Sequence, residues 1–419
     1  MKLVTNILNK IKKIIVVDDA GNYPMAKRVI NRSGISDVIH LSEKKYEDFL
    51  AELPAKRSTE IIALKTFPGS FARKCPGTKE PYLCCEYEIL SPVVNCPIGC
   101  SYCILQCYLN EPVNIIYVNV EKIFDDAIER YKEFPDDKIV RVGTGELGDS
   151  LVFEEWTGMG ETLIDKFAGQ KNIILELKTK SVNMGNILQM ASAAKSNNSN
   201  VYGSKVHTDP HLKIENSCQM SAFGGLNIEC CNDLVDGFGR NVVLSWSLNP
   251  EEIGKTEEGI AAKLDDRIDM AAQAIELGYF VGFHFDPMIY HKNGKEIYGK
   301  VIEKLKAKID PDKIAWISLG TLRYPKEMPP IAKNNHPNSD IFSREFIKGM
   351  DGKWRYPKPL RVEIYKWTAD PLTQWSKNIF VYFCMELPDV WEKVFGWSPK
   401  DNEDFDKKFV ESLKGRMNI

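Results

Sequence analysis

Between about residue 86 and residue 330 the chain alternates short, nearly continuous apolar runs with amphipathic segments. The apolar runs are YEILSPV, KIVRVG ending near Gly143, NIILELK (172–178), VVLSWSL (242–248), FVGFHFD (280–286) and IAWISL (314–319). Runs of this length without a period of two predict strands covered on both faces, as in a parallel sheet. Helical patterns lie between them, at Val120–Tyr131 and, more clearly, at Leu264–Leu277. In the latter Ile268, Ala271, Ala272 and Ile275 share one face, and Gly278 follows as the stop. Six strands joined in this way predict an α/β fold, a partial (β/α)6 barrel whose site lies at the C-terminal strand ends.

Residues 1–85 read as a small αβ module: a strand at Lys13–Val17, helices near Tyr23–Asn31 and Glu43–Glu52, then a connection rich in Gly and Pro, TFPGSFARKCPGTKEPYLCC. The barrel is expected over 86–330, interrupted at about 195–240 by a stretch too long for an ordinary βα loop and read as an insertion or lid. That stretch carries Cys218, Cys230 and Cys231, either reduced thiols or a second metal site. Residues 331–419 form a C-terminal extension with a Pro- and Lys-rich start, the segment GKWRYPKPLRVEIYKW, a strand IFVYFCM and a terminal helix from about Pro388.

Composition changes this picture little. With 43% hydrophobic and 27% charged residues the chain is globular, and its length of 419 suits about two or three domains. A net charge of −3 excludes a global basic field for nucleic acid and leaves a local basic groove open. No apolar run of signal length precedes Lys10, Lys12 and Lys13, and none approaches the roughly 20 residues of a membrane span. A cytoplasmic protein with no membrane partner is the expectation.

Cysteine changes it more. There are eleven, and seven fall between Cys75 and Cys107. An odd number, clustered in a long chain, argues for a reducing compartment and metal ligation rather than a disulfide scaffold. The densest stretch is NCPIGCSYCILQCYLN, with Cys96, Cys100, Cys103 and Cys107. Zinc is one reading, with Cys84 or Cys85 completing four ligands. An electron-transfer cluster is another, although its usual first gap is two residues and here it is three.

The Cys-x3-Cys-x2-Cys spacing, with Tyr102 before the third cysteine, resembles the radical S-adenosylmethionine superfamily. The resemblance implies a 4Fe–4S cluster on Cys96, Cys100 and Cys103, with one iron left open for S-adenosylmethionine. The triplet follows the first expected barrel strand, where a barrel site belongs. Gly145 and Glu146 in VGTGELGDS look like the family element that meets the methionine ammonium. Tyr102, Lys180, Ser247 and Asn249 are the other candidate cofactor contacts. Lys180 would pair with the methionine carboxylate, and Ser247 and Asn249 would bond the ribose. Their alternatives are a solvated lysine and turn-capping residues.

Within the superfamily the chain is most similar to the spore photoproduct lyase family, from about Pro76 to Gly396. The likeness is carried by YCILQ with IYVNVEKIFDDA, by GKWRYPKPL and by FVYFCMELPDVWEKVFG. It implies reductive cleavage of S-adenosylmethionine to a 5′-deoxyadenosyl radical, an electron from reduced flavodoxin or ferredoxin, and a DNA photolesion or nucleotide as substrate. The family returns hydrogen from a cysteine after the second strand, where this chain has GTGELGDS and no cysteine. The family's tyrosine after the third cluster cysteine is here Ile104. Cys107 is then a substitute donor, a resting-state ligand or a buried small residue. Arg323, Tyr324, Arg355 and Tyr356 are candidate substrate contacts, the last two in a basic and aromatic hairpin. His284 and Asp286 are a rim pair for substrate, adenine or each other. Radical modification of a peptide or small metabolite, with the insertion as lid, and a metal-stabilised nucleic-acid-binding protein are the alternative functions.

Overall fold

The computed structural model describes residues 8–54, 58–69, 72–77, 79–85, 87–135, 138–199 and 241–417. The apolar runs form six parallel strands laid side by side in chain order: Glu88–Ile89, Val140–Gly143, Ile173–Thr179, Val242–Ser247, Phe280–Met288 and Ile314–Thr321. They make the curled half-barrel of an α/β fold. The fourth and sixth strands are buried at every position, which is why their sequence does not alternate. Helices Val120–Tyr131 and Leu264–Glu276 pack their apolar stripes on the sheet, and Gly278 (φ 101) ends the second turnaround as expected.

Polar side chains spaced two apart line the barrel axis. Glu176, Lys178, His284, Asp286 and Ser318 border a cavity of about 60 Å3 with Arg141 and Trp316. Glu176 accepts from the Ser245 hydroxyl (2.6 Å) and Trp316 Nε1 (3.2 Å) and lies 2.6 Å from His284, which also reaches Ser318. Burial opposes the Glu176 charge, but His284, Lys178 and Ser245 outweigh it and bring the carboxyl down to about 2.

The N-terminal sheet runs Val38–Leu41, Lys13–Val17, Ile61–Lys65, Asn114–Tyr117, Val93–Val94, parallel except at its last pair. Its last two strands come from beyond residue 85. The chain therefore leaves the first barrel strand, enters the N-terminal sheet at 93–94, and returns to it at 114–117. The cysteine loop is slung between those two strands.

The C-terminal part adds one helix and splits the expected terminal one. RVEIYKW belongs to a helix, Lys358–Trp375, started by Pro357 and Pro359, whose fixed φ suits a first turn. The terminal helix is two, Pro388–Phe395 and Asn402–Leu413, because Gly396 (φ 75) stops the first. The strand Phe380–Phe383 extends the barrel sheet as a seventh parallel strand beside the sixth. A small antiparallel sheet joins Arg323–Tyr324, Trp354–Arg355 and Ile347–Lys348. The insertion expected at about 195–240, with Cys218, Cys230 and Cys231, lies beyond residue 199 outside the described residues. Among the described residues no helix is long and apolar enough to cross a membrane.

One buried carboxyl, at the start of the helix Met159–Phe167, carries a prediction. Glu154 is 1% exposed and accepts from the backbone N–H groups of Gly160 (2.6 Å) and Glu161 (3.2 Å) beside the helix Pro24–Ser33, whose Arg28 donates to Thr157 O. Burial, only partly offset by those N–H groups, pushes the carboxyl up to about 7. Between pH 4.5 and 7 the folded chain holds a proton that the unfolded chain has released, so stability from this group falls as pH rises through that window. The stability of the wild type relative to Glu154→Gln is expected to drop by on the order of 3 kcal/mol from pH 4.5 to 7.5, read from denaturant midpoints. A pH-independent difference refutes the assignment.

Candidate active site

The cysteine loop begins at Asn95, whose φ of 71 turns its Oδ1 onto the Cys96 N–H (2.8 Å). Gln106 holds the loop from inside, its Nε2 donating to the carbonyls of Ser101 (2.9 Å), Cys100 and Cys103 (both 3.4 Å). Asn335 donates to Gln106 Oε1 at 2.8 Å, so the helix Met328–Asn335 braces the loop from outside. The result is a short, rigid turn presenting Cys96, Cys100 and Cys103.

A second segment clamps this loop. Ser101 N donates to Glu257 O (2.8 Å), the Ser101 hydroxyl bonds the Glu257 carboxylate, and Ile260 N donates to Ile98 O (3.2 Å). Gly259, between them, has φ 55, and a Cβ there would stand 2.1 Å from the Ile98 carbonyl oxygen; the approach requires glycine. Glu258 is the hub. Its carboxylate accepts from the Tyr102 hydroxyl, from Asn249 Nδ2 (3.0 Å) and from Arg267 Nη2 (2.6 Å). Burial works against its charge, but Arg267, Lys180 and the two hydrogen bonds prevail and lower the carboxyl to about 2.

The loop opens onto a cavity of about 600 Å3 at the C-terminal ends of the strands. Cys96, Cys100, Cys103, Tyr102, Gly145, Glu146, Lys180, Ser247 and Arg323 all line it. The donor set is three thiols from one tight turn beside a large cavity, which fits a cluster with an open iron. Among the described residues no three His, Cys, Asp or Glu side chains close to the spacing of a single metal ion. Glu146 is ion-paired with Arg73, and burial raises its pKa. Lys180 stands over the Tyr102 ring, 5.7 Å from its centroid. Arg323 places its fork on Asp286, with both N–O distances 3.0 Å. His284 and Asp286 thus go separate ways, one to Glu176 and one to Arg323.

Five expected site residues lie elsewhere. Asn249 is buried between Glu258 and the Tyr298 hydroxyl. Cys107 contacts Met328 Sδ at 3.3 Å outside the cavity lining, and burial pushes its thiol up to about 11. Tyr324 packs edge-on against Phe342 and Phe346. Arg355 is buried against Asp351 (2.7 Å) and over the Tyr82 ring, and Tyr356 stacks on Phe346 while its hydroxyl accepts from Tyr290 N.

The cavity also gathers residues that the sequence reading passed over. Lys178 and Lys353 line it, neither within salt-bridge distance of a carboxylate among the described residues, and burial together with Arg323 lowers the Lys353 pKa. Leu147 and Gly148 occupy the wall after the second strand, and Tyr108, 56% exposed, stands on the lining near the mouth. Four more thiols, Cys75, Cys84, Cys85 and Cys384, complete the lining. A hydrogen bond with Cys84 and burial raise Cys85 well above the usual thiol range. Burial, with Cys85 adding, puts Cys75 at about 11. Cys384 is pushed to about 12 by burial, with Asp286, Cys85 and Cys75 adding and Arg323 opposing. No local pattern announces this group, because its members meet only through the sheet.

The family model described as spore photoproduct lyase matches residues 232–361, from the fourth strand through the small antiparallel sheet. A curated relative, the spore photoproduct lyase of Clostridium acetobutylicum, is 21% identical over 312 residues, covering 72% of this chain and 75% of the relative. A spore photoproduct lyase solved with dinucleoside spore photoproduct superimposes with a TM-score of 0.68 at 16% identity, covering 89% of this chain and 98% of that one. A variant of that enzyme with bound S-adenosylmethionine and the same dinucleoside gives 0.67 at 15% identity, with the same coverage. Fold and comparisons together define a half-barrel of the kind that carries the solved spore photoproduct lyases. The fold is that of the solved spore photoproduct lyases, and residues 232–361 match the model of that family.

Proposed function

We propose that this chain binds a 4Fe–4S cluster through Cys96, Cys100 and Cys103, binds S-adenosylmethionine beside it, and acts on a nucleobase lesion in DNA. The supporting observation is the shared cavity: the triplet, Gly145, Glu146, Lys180 and Ser247 come from four separate segments and line one space. Bound together, cluster and S-adenosylmethionine supply reductive cleavage to a 5′-deoxyadenosyl radical, the hard chemistry that a cofactor carries. The electron comes from reduced flavodoxin or ferredoxin in the cytoplasm.

The protein's own residues bind and exclude. Lys180 and Ser247 would hold the carboxylate and hydroxyl groups of S-adenosylmethionine, and Gly145 leaves room for backbone approach, since a Cβ there would meet the Lys178 side chain at 3.3 Å. Tyr102, fastened to Glu258, keeps the cysteine turn from shifting. Lys178 and Lys353 add positive charge to the cavity lining, which suits a phosphate-bearing substrate. The lining carries exposed Tyr108 (56% exposed), a surface for an unstacked base.

The stretch 144–150 has no cysteine and puts Leu147 on the cavity wall, which favours a second reading: radical modification of a peptide or small metabolite. The test is anaerobic incubation of the reconstituted protein with dithionite, S-adenosylmethionine and DNA containing spore photoproduct, with mass spectrometry for restored thymine. Restored thymine supports repair. Formation of 5′-deoxyadenosine without restored thymine overturns the lesion reading and leaves the second.

A further inference from the structure

The four thiols across the cavity from any motif are brought together by strand register. Arg73–Lys74 pairs antiparallel with Glu88–Ile89, and Cys75 N donates to Tyr87 O at 2.8 Å, so Cys75 faces the residue two beyond Cys85. An antiparallel bridge joins Leu83 to Glu386, with Leu83 N donating to Glu386 O at 2.9 Å. Continuing that register sets Cys85 opposite Cys384. Gly77 (φ 51) closes the group: a Cβ there would lie 2.8 Å from Cys84 Sγ, so the turn after Cys75 is folded directly onto that sulfur. Cys84 N is fixed by Asn402 Oδ1 at 2.9 Å, and Cys384 N by Leu319 O at 3.0 Å. No disulfide joins any of the four among the described residues.

We infer that Cys75, Cys84, Cys85 and Cys384 ligate a second iron–sulfur cluster on the wall of the same cavity. Four sulfur donors select zinc or iron–sulfur chemistry, and Arg323 Nη2 lies beside them, 3.6 Å from Cys384 Sγ. Neither this set nor the triplet closes on the spacing of a single ion, whereas cluster ligands stand on separate iron corners. The antiparallel pair 73–74 with 88–89, the Leu83–Glu386 bridge, the Asn402 side-chain oxygen that accepts from Cys84 N and a glycine turn fix the donors, a built arrangement rather than chance surface cysteines. The second site has a full set of four ligands, unlike the triplet, so it holds no open iron for S-adenosylmethionine. Its chemistry is electron storage or transfer beside the first site.

The measurement is iron and acid-labile sulfide per chain after anaerobic reconstitution, with zinc determined in parallel. Wild type is expected to hold about eight iron and eight sulfide, and the Cys96→Ala, Cys100→Ala, Cys103→Ala variant about four of each. In the complementary variant, Cys75→Ser, Cys84→Ser, Cys85→Ser, Cys384→Ser, the count falls from about eight to about four, with 5′-deoxyadenosine formation tested separately. Wild type with only about four iron overturns the inference, as does a folded triplet variant with none. Zinc in place of iron at the second site overturns the iron–sulfur assignment. Failure of the triplet reading looks different: the triplet variant then keeps the full wild-type iron content.

Discussion

Replacing Cys96, Cys100 and Cys103 together by alanine abolishes 5′-deoxyadenosine formation while leaving the fold intact. The three thiols sit on one turn held by Gln106, Asn335, Glu257 and Glu258, none of which depends on the sulfurs for its own partners. Alanine therefore removes ligands without removing the scaffold. The expected readout is turnover at the background of a no-enzyme control, with an unchanged far-ultraviolet dichroism spectrum. Single alanine variants fall to the same level, because residues that act as one unit are not additive. Continued 5′-deoxyadenosine from the triple variant would remove this triplet from the cofactor site. A loaded wild-type cluster that is reduced by dithionite yet never cleaves S-adenosylmethionine, even with irradiated DNA present, would leave a cluster that only moves electrons.

Glu258→Ala is expected to cost about 3–5 kcal/mol of stability, the range for removing one partner of a buried ion pair. The pair is buried on both sides, Glu258 at 1% and Arg267 at 3% exposure, and Arg267 would keep only the carbonyls of Ala262 and Ser247. The same change frees Tyr102 and Asn249, so iron content after reconstitution should fall along with the melting temperature. Glu258→Gln keeps the neutral hydrogen bonds and is expected to be intermediate in both. The pH dependence has a definite sign. Glu258 is lowered to about 2 from an ordinary 4.5, so its contribution is complete above pH 4.5 and is lost as pH falls toward 2. Chemical denaturation at pH 7 and pH 3 measures it: the wild type and the alanine variant should converge on acidification. Equal stability at neutral pH would show that Glu258 does not hold the loop.

The sequence by itself determined whatever depends on near neighbours. The strands Phe280–Met288 and Ile314–Thr321, the helix Leu264–Glu276 and its stop at Gly278 follow from periodicity within a dozen residues. The triplet at Cys96, Cys100 and Cys103 is a spacing inside one turn, and so is its place after the first barrel strand. The α/β half-barrel was legible for the same reason, since buried parallel strands write their apolar runs locally.

Only the tertiary structure decided which distant segments meet. Tyr102 and Glu258 are 156 positions apart, and nothing in TEEGI marks its glutamates as the clamp of a cysteine loop. Arg323 had equal claims on a substrate anion and on a carboxylate until the strand ends placed Asp286 within its fork. Tyr356 and Arg355 look like an exposed basic and aromatic hairpin in sequence, yet helix Lys358–Trp375 and Phe346 bury them. Cys384 and Cys85 come to one cavity wall beside the single bridge between Leu83 and Glu386. The physical reason is common to all four: partner choice is set by strand register and helix packing, which sum weak preferences over the whole chain, whereas periodicity and ligand spacing are fixed by a few adjacent residues.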